Sequence, residues 1–155
     1  MTFGLFEEMQ KLERFIGEWN GDDDISRSLW TKSNRASVKL TNHPGLNGKF
    51  IIQDYIQECE GSLRYQWRAV IGWNAEAASY MMHLFDSAGA FSEIPFRGRI
   101  DGDALMFDHQ GPVGYTHITQ KISENRSYNL LVEVSPDNEI WYTSINGTYE
   151  PVNNK

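Results

Sequence analysis

The 155-residue chain holds a single cysteine, Cys59. One thiol can neither close an internal disulfide nor build a cysteine metal cluster. Glu58 and Glu60 flank it, and neighbouring carboxylates make a thiolate harder to form, so a reactive nucleophile is not expected there. Cations are scarce too: 14 Lys and Arg stand against 21 Asp and Glu, a formal net charge of −7. No Lys/Arg-rich run relieves that balance, which excludes nucleic acid as a partner, since a phosphate backbone needs a concentrated basic surface. No apolar run approaches the ~20 residues of a membrane-spanning helix, so no membrane partner is expected. The opening MTFGLFEEMQKLERF lacks the basic and apolar regions of a secretory signal. The expectation is a cytoplasmic protein, in which the sequons Asn125-Arg126-Ser127 and Asn146-Gly147-Thr148 are chance matches.

Catalytic signatures are also missing. There is no Gly-x-Ser-x-Gly elbow, no cysteine with a supporting base, and no glycine-rich phosphate loop between a strand and a helix. The four histidines, His43, His83, His109 and His117, show no HxH or HxxxH spacing, so no metal site is expected. His43 beside Pro44-Gly45 reads as a solvated turn residue, and His109 beside Gln110-Gly111-Pro112 as an exposed residue at a strand end. That leaves His83 and His117, inside strand-like runs, as the histidines able to ligate or carry a proton. Asp22, Asp23 and Asp24 lack the alternating oxygens and closing carboxylate of a calcium loop, and read as a solvated strand entrance. Asp101 and Asp103 read as turn chemistry around Gly102. An enzyme reading has no residue to stand on, and binding without chemistry is preferred.

Rings are what the chain has in surplus. Eight Phe, seven Tyr and five Trp, within a 40% hydrophobic composition, exceed what a core of this size needs. Some of them are therefore expected to line a cavity or an interface. Leu5, Met9, Leu12 and Ile16 share one helical face, which predicts a helix over about residues 5–16, stopped by Gly17. Beyond Gly17 the period becomes two: Trp30 to Leu40, Leu63 to Ile71, Leu105 to Phe107, Tyr128 to Val134 and Trp141 to Ile145 alternate apolar with polar residues. Turn signals separate these runs at Asn42-His43-Pro44-Gly45, Glu60-Gly61, Asn74-Ala75, Asp101-Gly102, Glu124-Asn125 and Pro136-Asp137-Asn138. Asp101-Gly102 carries the strongest hairpin signal, that of a type I′ turn. One short helix and about ten strands, with no second helix to bridge parallel neighbours, predict a single antiparallel all-β domain over 1–155 that closes on itself.

The segments FIGEWNG, GKFIIQDYIQE, VIGWNAEAASYMMHLFDSAG, FRGRIDGDALMF and INGTYEPV together resemble the calycin group of lipocalins and fatty-acid-binding proteins. More narrowly, the chain resembles the bacterial DUF1579 family, whose function is unassigned. The resemblance implies an up-and-down lipocalin-like barrel over about 17–151, with the N-terminal helix covering one end. It also implies that Trp19, between Gly17 and Gly21, packs across the closed end. The nitrobindin-like haem barrels open with Gly-x-Trp-x-Gly-x-Gly; Gly17, Trp19 and Gly21 match that pattern, and Asp23 takes the third glycine position.

A closed barrel of this strand number holds one small ligand. Alternation points Trp30, Tyr65, Trp67, Phe107, Tyr128 and Trp141 inward, and on the strand around His83 the inward choice is Met82 and Leu84. On that strand Met81, His83 and Phe85 form an equally apolar opposite face, so the phase there stays open. His117 reads as a hydrogen-bonding wall histidine or an outward-facing one. The expected ligand is a small, largely apolar or aromatic molecule with one or two polar handles, with no cofactor. Two alternatives stand beside it: a haem barrel with His117 or His83 as axial ligand, and a filled barrel that works through its surface, as a homodimer or a partner-binding module.

Overall fold

The helical segment is shorter than its periodicity predicts. In the computed structural model, which describes residues 7–25, 35–112 and 114–152, α1 spans Glu7–Gln10 and a 3-10 turn spans Glu13–Phe15. Met9, Leu12 and Phe15 are buried while Ile16 is only half-buried. Tightening to three residues per turn moves Phe15 onto the packing face that Ile16 was expected to occupy. Leu5 lies outside the described residues. Gly17 then adopts a φ of 136°, a conformation that L side chains avoid, and the chain turns into the first strand.

Ten strands follow: β1 (Gly17–Ile25), β2 (Arg35–Gly45), β3 (Phe50–Cys59), β4 (Ser62–Asn74), β5 (Ser79–Asp86), β6 (Phe96–Asp101), β7 (Ala104–Gly111), β8 (Gly114–Ile122), β9 (Tyr128–Ser135) and β10 (Tyr142–Pro151). Each strand pairs antiparallel with its chain neighbours, and β1 pairs with β10 to close the ring. The protein is an all-β, antiparallel up-and-down barrel. Among the described residues, no helix is long and apolar enough to cross a membrane.

The turns explain the register. Glu60 and Gly61 both take positive φ, 55° and 82°, in the two-residue hairpin between β3 and β4. That is the primed geometry matching strand twist. The hairpin expected at Asp101-Gly102 forms around Gly102-Asp103 instead, and of its residues only Gly102 has positive φ. Asn42-His43-Pro44-Gly45 is not a turn but the end of β2. The Asn42 side chain is buried and hydrogen-bonded inside the barrel, so the chain turns later, at 46–49. The shortest pairing in the ring joins β5 to β6 through only Tyr80–Gly98, Met81–Arg97 and Met82–Phe96.

One end of the barrel is plugged by α1 and the 3-10 turn, where Tyr80 Oη donates to the Glu8 carbonyl at 2.6 Å. Met9, Leu12, Phe15, Trp19, Leu40 and Leu105 are buried there, leaving a residual void of only about 10 Å³ beside Gln120 and Tyr128. Trp19 packs across this closed end as expected: its Nε1 donates to the Phe15 carbonyl at 3.1 Å and its ring meets Tyr128 edge-on at 5.0 Å. The plug carries its own polar net, in which Asn42 Nδ2 donates to the Phe15 carbonyl and Gln53 Nε2 donates to Asn42 Oδ1 and Gln120 Oε1.

Phe107 fills the barrel axis opposite Gly98, where an added methyl group would stand 2.5 Å from the ring. Gly98→Ala should therefore destabilise the fold by about 1–3 kcal/mol through overpacking. Urea unfolding should show a lower midpoint with an unchanged slope; an unaltered midpoint would mean that the Phe107 ring moves aside freely.

Candidate functional site

The opposite end of the barrel is open. A cavity of about 440 Å³ enters there between the starts of β4 and β10 and the ends of β5, β7 and β9. Trp67 and Ile118 lie at its buried floor, and Tyr65, Leu84, Phe96 and Val132 stand on its walls. Phe91 is exposed at its lip, and Ile94, Ile140 and Tyr142 are exposed at the same end of the barrel. A broader hollow of about 590 Å³ lies on the outer wall. Asp108 there lies 3.5 Å from Arg99 and 3.3 Å from the His117 ring nitrogen, and the hollow lacks the apolar enclosure that ligand pockets favour.

The nine residues expected to line a cavity separate into four groups. Tyr65, Trp67 and Leu84 line the mouth. Met82, Phe107 and Tyr128 face inward but are sealed in the filled part of the barrel. Trp30 lies outside the described residues. His117 and Trp141 stand on the outer wall, their rings stacked at 3.9 Å.

The displacement of Trp141 has a local cause. A bulge interrupts the β9–β10 ladder between Thr143 and Ile145, and one extra residue reverses the facing of everything beyond it. Ile145 pairs with inward Val132 and Tyr142 with inward Val134, so Trp141 must point out and Ser144 is left at the cavity. A second bulge acts in the same way on β4, between Leu63–Glu58 and Tyr65–Gln57. It turns Leu63 outward and directs Arg64 into the mouth.

The histidines also exchange places. His109, expected to be exposed at a strand end, does sit near the end of β7 but lines the mouth, because β7 runs to Gly111 and keeps Leu105, Phe107 and His109 on one inner face. Its Nε2 lies 2.9 Å from the Ile94 carbonyl and its ring stacks on Phe96 at 4.4 Å. His83 lies exposed, next to buried Met82. The haem alternative that named His117 or His83 thus has both candidate ligands outside the barrel. Among the described residues, no three His, Cys, Asp or Glu side chains are grouped to hold a metal ion.

The largest departure from expectation is Asp23. Asp22 and Asp24 are solvated as predicted, but Asp23 is fully buried on the inner face that Trp19 and Ile25 share. Its carboxylate accepts from Tyr149 Oη at 2.5 Å, from Gln57 Nε2 at 2.8 Å and from Tyr55 Oη. Gly147, opposite Asp23 in the ladder, supplies the room: a methyl there would overlap both the carboxylate and the Tyr149 hydroxyl. Burial raises the Asp23 pKa above the ordinary carboxylate value, and the three donors only partly offset it. Burial, with the carboxylate beside them, holds the Tyr55 and Tyr149 hydroxyls protonated far above the usual tyrosine range.

This cluster reaches the mouth through Gln57. Because its amide nitrogen is committed to Asp23 and to Tyr55 Oη at 2.5 Å, its amide oxygen is left to accept from Arg64 Nη1. The floor is anchored as well: Trp67 stacks on Tyr55 at 4.1 Å, its Nε1 donates to Gln53 Oε1 at 3.1 Å, and Tyr65 Oη donates to Asp86 Oδ2 at 2.8 Å. These rings therefore offer the cavity their faces, with their polar atoms already engaged.

The chain is similar to the structure of Rv2717c from M. tuberculosis, with a TM-score of 0.70 and 8% identity over 96% of this chain and 99% of that one. At that identity the likeness concerns the fold alone. No family model and no curated protein matches the sequence.

Because the folded state binds the Asp23 proton more tightly than the unfolded chain, its stabilising contribution is complete below the unfolded carboxylate pKa, about 4. It is lost as the pH rises through the raised native value. Relative to Asp23→Asn, the wild type should be most favoured in acid, and its advantage in melting temperature should narrow toward neutral pH. A difference that stays constant with pH would contradict the raised pKa.

Proposed function

We propose that the protein is a non-enzymatic carrier or sensor that binds one small, largely apolar or aromatic molecule in the mouth of the barrel. The observation that carries this reading is the half-filled interior. Side chains occupy the helix end down to a void of about 10 Å³, while about 440 Å³ stays open over Trp67 at the other end. A barrel serving only as a scaffold gains stability from filling that volume, since close packing is what interiors otherwise achieve. A flat apolar body suits the faces of Trp67 and Tyr65, and Leu84, Phe96 and Ile118 would grip its edges.

In this reading Met82, Phe107 and Tyr128 support the floor from below and do not touch the ligand. His117 and Trp141 belong to the outer wall, where an aromatic stack beside Asp108 suits a surface role. The reading keeps the closer resemblance to the DUF1579 barrels and a bacterial, cytoplasmic setting, with no resident cofactor and no nucleic-acid or membrane partner. The acidic net charge of −7 supports the exclusion of nucleic acid. A homodimer is compatible with the apolar rim, provided the mouth stays accessible.

The test is titration with the neutral fluorescent probe N-phenyl-1-naphthylamine. Leu84→Trp, which enlarges a half-buried wall residue into the cavity, should abolish binding while the protein keeps its fold by circular dichroism. Trp67→Ala should weaken binding by about tenfold, the loss expected for one ring contact plus its buried area. Unchanged affinity in both variants would move binding out of the mouth.

A further inference from the structure

We infer that the ligand of this mouth carries an oxyanion head group, a carboxylate or sulfonate, and that Arg64 receives it; the inference rests on the mouth being the binding site. Arg64 is an odd residue to find there. The chain is acidic overall, yet a guanidinium is directed into this apolar mouth by a bulge that interrupts an otherwise regular strand. Among the described residues Arg64 forms no ion pair, and its single partner is the neutral Gln57 amide oxygen. The five donors of a guanidinium in a fixed fork match a planar oxyanion, and one hydrogen bond to an amide leaves most of them for a ligand.

The other charged group at the mouth, Asp86, forms no ion pair with Arg64 among the described residues and is held by neutral donors. Asp86 already accepts from Tyr65 Oη at 2.8 Å and from the Ala88 and Ala90 amides at 3.0 Å each. It is a loop clamp. The hydroxyl of Tyr65 and the indole nitrogen of Trp67 are likewise engaged with protein acceptors. Arg64 is thus the strong polar handle facing an apolar chamber.

Its placement is also supported from behind. Asp23 and Tyr55 fix the Gln57 amide with its nitrogen inward, so the oxygen is presented to the guanidinium. A buried carboxyl is costly unless hydrogen-bonded, and here its consequence is to orient the residue that meets the ligand. Asp23 and Gln57 are positioning residues in this scheme, and Arg64 touches the ligand. The head group would sit at the rim beside Arg64, with the apolar body lying over Trp67.

A matched pair of probes tests this: N-phenyl-1-naphthylamine, which is neutral, and 8-anilinonaphthalene-1-sulfonate, the same ring system carrying a sulfonate. The wild type should bind the sulfonate at least about tenfold more tightly, as a charge-assisted contact predicts, and the advantage should shrink with added salt. Arg64→Gln should bring the two affinities within about twofold while leaving the neutral probe unchanged, and Arg64→Lys should restore part of the difference. Equal affinities in the wild type, or an equal loss for both probes in Arg64→Gln, would overturn the anion assignment and leave the mouth as the site. Sulfonate binding that persists in Leu84→Trp would place the anion outside the mouth and overturn it as well. Binding of neither probe to the wild type would overturn the underlying site assignment together with this inference.

Discussion

Everything in this molecule depends on the pairing of β1 with β10. Ten antiparallel strands without a covering helix layer would expose two unpaired edges, and closing the ring removes both. Closure divides every strand into an inner and an outer face, and the interior along this seam is tightly packed. Gly21 and Gly147 lie on it, where a side chain at either position would run into Tyr149. The space they leave admits the Tyr149 ring and the Asp23 carboxyl to the interior. A fully apolar barrel would not need this arrangement; the seam accepts a buried acid and meets its hydrogen-bonding demand with two phenols and an amide.

That buried acid links the seam to the mouth. Asp23 sets the orientation of Gln57, Gln57 engages Arg64, and Tyr55 joins the same cluster while supporting the Trp67 ring from behind. The plug at the helix end reaches the mouth by a separate route, from the Phe15 carbonyl through Asn42 and Gln53 to the Trp67 indole. Two hydrogen-bonded routes thus converge on the floor of the cavity, so the aromatic surface offered to a ligand is held from two sides. Such preorganisation lowers the ordering cost of binding.

How much of this was legible in the sequence follows from where the period of two runs without interruption. Trp67, Ala69 and Ile71 face inward as their alternation requires, and so do Met82 and Leu84. Leu63 and Trp141 defeat the pattern because each lies beyond a bulge, and a bulge leaves no signature in alternation. The same two bulges bring Arg64 and Ser144 to the mouth, so the polar residues most relevant to a ligand occupy the positions that pattern reading assigns to the wrong face. His109 was hidden differently: the turn signal Gln110-Gly111-Pro112 follows it, but the strand continues almost to the proline. Asp23 carried a usable signal, since Trp19 faces inward and positions 21, 23 and 25 share its side. Its two acidic neighbours made solvation the more natural reading.

The short β5–β6 ladder has a mechanical consequence for this architecture. Three residue pairs hold these strands, and the outer half of β5 is tied instead to the loop that follows it, through Leu84 with Ser92 and Asp86 with Ala90. That loop also carries Phe91 at the rim of the cavity. The ring therefore has a compliant sector on the side of its chamber and stiff, long ladders on the side of the buried acid. Amide protons should exchange soonest in this sector, because few cross-strand bonds must break to free them. Widening to take in a bulkier guest would begin there, leaving the closure seam and its carboxyl undisturbed.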